Sequence, residues 1–70
     1  MHLHRIESTG IRALGHDESR SLLWVQYDSG DIYEYSGVPA DLYERMLDAQ
    51  PHPWSAHGDE VKSYPFRRVR

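Results

Sequence analysis

Two groups of side chains in this sequence have the types and spacing to bind a ligand. Tyr33-x-Tyr35 sets two rings two residues apart, which on a strand places both on one face. Same-face rings on a sheet stack nucleobases, at about 1–3 kcal/mol per base. The C-terminal stretch interleaves Lys62, Arg67, Arg68 and Arg70 with Tyr64 and Phe66. Cations for phosphates and rings for bases are the composition of a single-strand nucleic-acid contact. Each group also has a plainer reading. Alternating tyrosines beside Leu23 and Val25 make a core face with hydroxyls at its rim, and a basic chain end docks equally well on acidic residues such as Asp17, Glu18 or Glu34.

Other chemistry is less well supplied. His2-x-His4 puts two imidazoles on one side of an extended segment, but a third ligand from His16, His52 or His57 has no motif spacing behind it. No metal site is expected, and no cofactor. Ser8, Ser55, His57 and Asp59 are the residue types of a hydrolase triad without a nucleophile elbow or a glycine-rich phosphate loop around them. A core this small leaves little room to enclose a substrate, so neither an enzyme nor a small-molecule substrate is expected. A rival to nucleic acid is a protein contact or homodimer built on Trp24 and Ile32, because Trp is a frequent interface anchor.

The elements that must carry these residues are bounded by composition. Seventy residues, 39% hydrophobic and 27% charged, suffice for one domain with one small core. With no cysteine, packing alone must hold it. The charge of −3 comes from 8 basic and 11 acidic residues, and since the last ten residues hold 4 of the bases and no acid, residues 1–60 carry 4 bases against 11 acids, or −7. That balance argues against a strongly electrostatic nucleic-acid binder and confines any phosphate contact to the tail. No apolar run reaches signal-peptide or membrane-span length, so a cytoplasmic protein without membrane contact is expected.

Three stretches read as strands. Gly10–Gly15 is short and glycine-bounded, and a turn-rich 16–21 follows it. Leu22–Tyr27 and Asp31–Ser36 flank Asp28-Ser29-Gly30 as a hairpin. A two-residue loop would pair Val25 with Glu34 and send a carboxylate into the core face. A three-residue loop with Gly30 left-handed in a bulge instead pairs Val25 with Tyr33 and Leu23 with Tyr35. That register gathers Leu23, Val25, Tyr27, Tyr33 and Tyr35 on one face and leaves Trp24, Gln26, Ile32 and Glu34 on the other. From Pro39 to Ala49 the sequence predicts a helix, with proline in the first turn, Asp41 near the N-terminus, and a stripe of Leu42, Tyr43, Met46 and Leu47 to cover the tyrosine face. The prolines of 50–54 predict an irregular segment, residues 58–63 a helical turn, and 64–70 an extended end.

In this order the residues resemble the KTSC family, small domains found alone in bacterial and phage proteins and at the C-terminus of some lysyl-tRNA synthetases. The resemblance runs from about Glu7 to Arg68. It rests on Ser8-Thr9 with Ile11 and Gly15, Leu23-x-Val25-x-Tyr27, Gly30, Tyr33-x-Tyr35, Gly37-Val38-Pro39, Tyr43, Leu47-x-Ala49 and Tyr64-Pro65-Phe66. His16 stands where the family usually has tyrosine, and 51–59 replaces its Ser-x-Gly-x-aromatic-aromatic-Asn run. The resemblance implies an RNA-binding role by company with synthetases. The whole predicts an α+β domain at residues 7–68, with an arm at 1–6 and a basic end at 69–70: about three antiparallel strands around a central hairpin, one main helix on the tyrosine face, and a non-catalytic binding function. Its candidate nucleic-acid contacts are Tyr33, Tyr35, Lys62, Tyr64, Phe66, Arg67, Arg68 and Arg70, with Trp24 and Ile32 as the alternative protein contact.

Overall fold

Gly30 takes φ 97°, a left-handed conformation that glycine adopts without strain. The turn it makes is closed by Tyr27 N–H donating to the Asp31 carbonyl and Gly30 N–H to the Tyr27 carbonyl, both at 2.9 Å. This three-residue loop fixes the hairpin register, Leu23 opposite Tyr35 and Val25 opposite Tyr33, as the sequence predicts. The computed structural model describes residues 2–70. Its elements are β1 (His4–Arg5), β2 (Ile11–Asp17), β3 (Leu22–Tyr27), β4 (Ile32–Ser36), α1 (Ala40–Asp48), α2 (Pro53–Lys62) and β5 (Phe66–Arg68). The strands form one antiparallel sheet in chain order, with both helices inserted between its last two strands.

The sheet therefore has five strands where the sequence predicts about three, and two helices where it predicts one. Each difference comes from contacts distant in sequence. The 1–6 arm supplies β1, with His4 opposite Leu14 and Arg5 opposite Ala13. The extended end becomes β5 because β4 offers it a free edge: Phe66 lies opposite Tyr35, Arg67 opposite Glu34 and Arg68 opposite Tyr33. Pairing continues past β5, with Val69 N–H donating to the Ile32 carbonyl at 2.7 Å and Ile32 N–H to the Arg70 carbonyl at 2.9 Å. Helix α2 begins within the segment read as irregular. Pro53 stands in its first turn, where a missing N–H costs nothing.

A bulge between Ile11 and Ala13 lets Ile11 and Leu14, three residues apart, share the inner face of the sheet. They join Leu23, Val25 and Tyr35 beneath Val38, Leu42 and Met46 of the α1 region and Val61 of α2. Tyr43 and Leu47, expected in the same stripe, pack partly buried against this cluster. Arg45 braces the two helices, donating to both Glu60 carboxylate oxygens at 3.3 Å and to Asp41 at 3.2 Å. On the outer face, β2 has no side chain at Gly15, and the His2 backbone crosses there so closely that a Cβ would collide with its carbonyl.

Candidate functional site

The inner face is covered by the helices over its centre and left partly open toward β5 and the hairpin turn. Because β5 pairs with β4, Phe66 and Arg68 fall on the same side as Tyr33 and Tyr35. Four rings then form a continuous row. Phe66 stacks on Tyr33 with centroids 5.7 Å apart, Tyr33 meets Tyr27 edge to face at 5.4 Å, and Tyr27 meets Trp54 edge to face at 5.4 Å. Offset and T-shaped contacts at these distances are the favourable ring geometries. Phe66 is 61% exposed and the only large hydrophobic residue that is exposed among those described. The other three rings are half-buried.

Trp54 reaches this row from the first turn of α2. It lies against Gly58, where an added Cβ would sit 3.1 Å from two atoms of the indole. Glycine at that position leaves the ring its space. Lys62, two turns further along α2, holds its Nζ 5.5 Å from the Trp54 ring centroid. Beside Tyr33, which it faces across the β4–β5 pair, Arg68 Nη2 donates to Asp31 Oδ1 at 2.8 Å. A cation thus stands at the Trp54 end of the rings and another beside Tyr33.

Below Tyr33 and Tyr27, at the hairpin turn, the surface opens into a hollow of about 420 Å3 lined by Gly10, Tyr27, Asp28, Ser29, Asp31 and Tyr33. The Tyr27 hydroxyl lies 2.6 Å from that of Tyr35. Burial, and then this hydroxyl contact, raise the Tyr27 pKa well above the usual phenol value. Tyr27 therefore faces the hollow as a neutral phenol at neutral pH, beside the carboxyl groups of Asp28 and Asp31.

The residues expected from the sequence to bind nucleic acid are divided by the fold. Tyr33, Phe66 and Arg68 come together on the inner face, and Lys62 stands across the row from them. Tyr35 is 3% exposed and belongs to the core, so it presents no free ring face. Tyr64 is partly buried against the same core. Arg67 points to the other side of the sheet, where its Nε donates to Glu34 Oε1 at 2.9 Å. Arg70 is exposed at the chain end. On the outer face Ile32 is only 5% exposed, with the C-terminal residues bonded along its backbone, so it adds no surface beside Trp24. Trp24 is half-buried, and its Nε1 donates to Glu34 Oε2 at 2.8 Å.

Tyr27 was legible in the sequence only as a core-face residue, and Trp54 as part of a proline-broken stretch. The signal for Trp54 was the spacing of Pro53, Trp54, Gly58 and Val61, a helix start followed by a contact four residues on. His2 and His4 bring their rings 4.7 Å apart edge to face, and among the described residues no three His, Cys, Asp or Glu side chains gather into a metal-binding group. Nor is any helix there long and apolar enough to cross a membrane.

Comparison with known proteins places this architecture. A crystal structure of a KTSC domain protein from Yersinia pestis superposes with a TM-score of 0.89 at 20% identity, covering 99% of this chain and 97% of that one. At that identity the likeness establishes the fold, including β5 and α2. An uncharacterized protein of Stutzerimonas stutzeri strain A1501 is 34% identical over 44 residues, which make up 63% of this chain. The match spans 62% of that relative's length. The KTSC domain model matches residues 7–63, from before β2 to the end of α2, and the chain belongs to the KTSC domain family.

Proposed function

We propose that this domain is a non-catalytic binding module whose ligand is single-stranded RNA, held on the inner-face rings. The observation that carries the reading is the row Phe66, Tyr33, Tyr27 and Trp54, in which Phe66 is exposed and the other rings half-buried, with Lys62 and Arg68 beside it. Rings on a sheet accept bases regardless of sequence, and cations beside them suit the phosphates between the bases. Arg70 and Lys62 supply charge that no carboxylate among the described residues neutralises. Arg67 and Arg68 are already paired, so the electrostatic share of affinity is small and stacking dominates. A protein contact on the outer face has less in its favour, since Ile32 is buried and the Trp24 indole is committed to Glu34.

The test is an NMR titration of the labelled domain with short single-stranded RNA and with unfractionated tRNA at low and moderate salt. The expected result is saturable shifts at Tyr27, Tyr33, Trp54, Lys62, Phe66 and Arg68, weakening modestly with salt. Absence of shifts at low salt overturns the reading, and shifts centred on Trp24 transfer the site to the outer face.

A further inference from the structure

The hollow at the hairpin turn adds discrimination to the row of rings. Its two tyrosines are the central members of the row, and the other residues that line it are Gly10, Asp28, Ser29 and Asp31, three of which carry hydrogen-bonding side chains. The two carboxylates differ. Asp31 is held by Arg68 at 2.8 Å, whereas the Asp28 carboxylate has no cationic partner among the described residues. The Asp28 backbone is fixed on both sides, its N–H donating to the Gly10 carbonyl at 3.2 Å and its carbonyl accepting from Arg12 Nη2 at 2.8 Å.

We infer that this hollow is a guanine-selecting subsite of the single-strand surface, an inference that rests on the RNA reading above. The chemistry is that of a carboxylate against the Watson–Crick edge. Guanine sets two donors side by side there, N1–H and the N2 amino group, which match the two oxygens of Asp28. Cytosine and adenine offer one amino donor beside a ring nitrogen whose lone pair faces the second oxygen. Uracil offers one N–H between two carbonyl oxygens. Only guanine satisfies both carboxylate oxygens at once, while Tyr27 and Tyr33 supply the rings for its face.

The experiment compares binding of the intact domain to the pentanucleotides UUUUU, UUAUU, UUCUU and UUGUU and to free guanosine monophosphate, for wild type and Asp28→Asn, by amide shifts of residues 27–33. Asp28 is exposed, so the variant is expected to fold, which the dispersion of its amide spectrum checks. The expected result is affinity for UUGUU about tenfold above the other strands and above the free nucleotide. In Asp28→Asn that preference falls below threefold while affinity for UUUUU holds or rises. Equal affinities for all four strands, or a guanine preference that survives Asp28→Asn, overturn the subsite and leave the RNA reading standing. Free nucleotide binding as tightly as UUGUU overturns the assignment of the hollow to a strand. Failure of every strand to bind overturns the RNA reading and the subsite with it.

Discussion

Arg67 donates its Nε to the Glu34 carboxylate at 2.9 Å, and this pair ties the last strand of the chain to the middle of the sheet on the face away from the helices. Glu34 also accepts from the Trp24 indole at 2.8 Å, so one buried carboxylate joins β3, β4 and β5. The hairpin register keeps Glu34 off the core face, as the sequence predicts, yet the residue is only 8% exposed on the opposite face. A buried carboxylate persists only with donors to satisfy it, and here two are present.

The two donors differ in worth. The Arg67 side chain is 71% exposed, so water and salt screen its charge, and Arg67→Ala is expected to destabilise by about 0.5–1 kcal/mol. Glu34→Ala removes both bonds and strands the indole N–H, an effect of about 1–3 kcal/mol. Denaturant melts of both variants measure this. Equal losses would show that the indole bond contributes nothing.

Stability should also depend on this group through pH. Arg67 and then Trp24 hold the Glu34 carboxyl below its ordinary value of 4.5, against the burial that raises it. A group whose folded pKa is depressed stabilises the fold fully above its unfolded pKa and loses that contribution as pH falls through the folded value. Glu34→Gln is therefore expected to flatten the fall in Tm below pH 4.5 relative to wild type, as thermal melts at a series of pH values will show. An unchanged acid limb would place the effect in other carboxylates.

Tyr27 behaves with the opposite sign. Its raised pKa favours the neutral phenol in the fold, so its contribution is complete below the unfolded value of 10.0 and is lost as pH rises above it. An absorbance titration of the native protein is expected to leave at least one of the five tyrosines un-ionised where a free phenol has ionised, with the missing signal recovered in denaturant. Tyr27→Phe should remove that protected titration. If it does not, the protected phenol is another tyrosine, with Tyr43, also raised by burial, the first candidate.

The core and the rings separate by exposure. Leu42 and Met46 are fully buried, so either truncated to Ala should cost about 2–5 kcal/mol. In a domain of this size each kcal/mol lowers Tm by about 4–8 °C. Phe66→Ala, at a position 61% exposed, is expected to change stability by less than about 0.5 kcal/mol. RNA affinity should nevertheless fall by about 1–3 kcal/mol through the lost stacking partner. A melt and a titration on the same sample separate the two effects. A destabilisation of several kcal/mol at Phe66 would make it a core residue and remove it from the surface.

What the sequence determined by itself was local. Asp28-Ser29-Gly30 contains its own turn, the alternation of Leu23, Val25, Tyr33 and Tyr35 contains its own register, and the stripe of Leu42 and Met46 contains its own helix. The motifs that carried the family resemblance lie largely in these same stretches, which is why the family was legible before the fold was complete. Tertiary structure decided the rest. Phe66–Arg68 is three residues long and has no strand signal of its own; it becomes β5 because β4 has unpaired backbone groups along its edge. His4–Arg5 joins β2 for the same reason. That pairing sends Arg67 to Glu34 and Arg68 to Asp31, and brings Phe66 beside Tyr33, divisions that a run of basic and aromatic residues does not reveal. The hollow draws Gly10 from one strand start and Tyr33 from another, and the row of rings draws Trp54 from a helix, because burying apolar area brings together residues that spacing along the chain keeps apart.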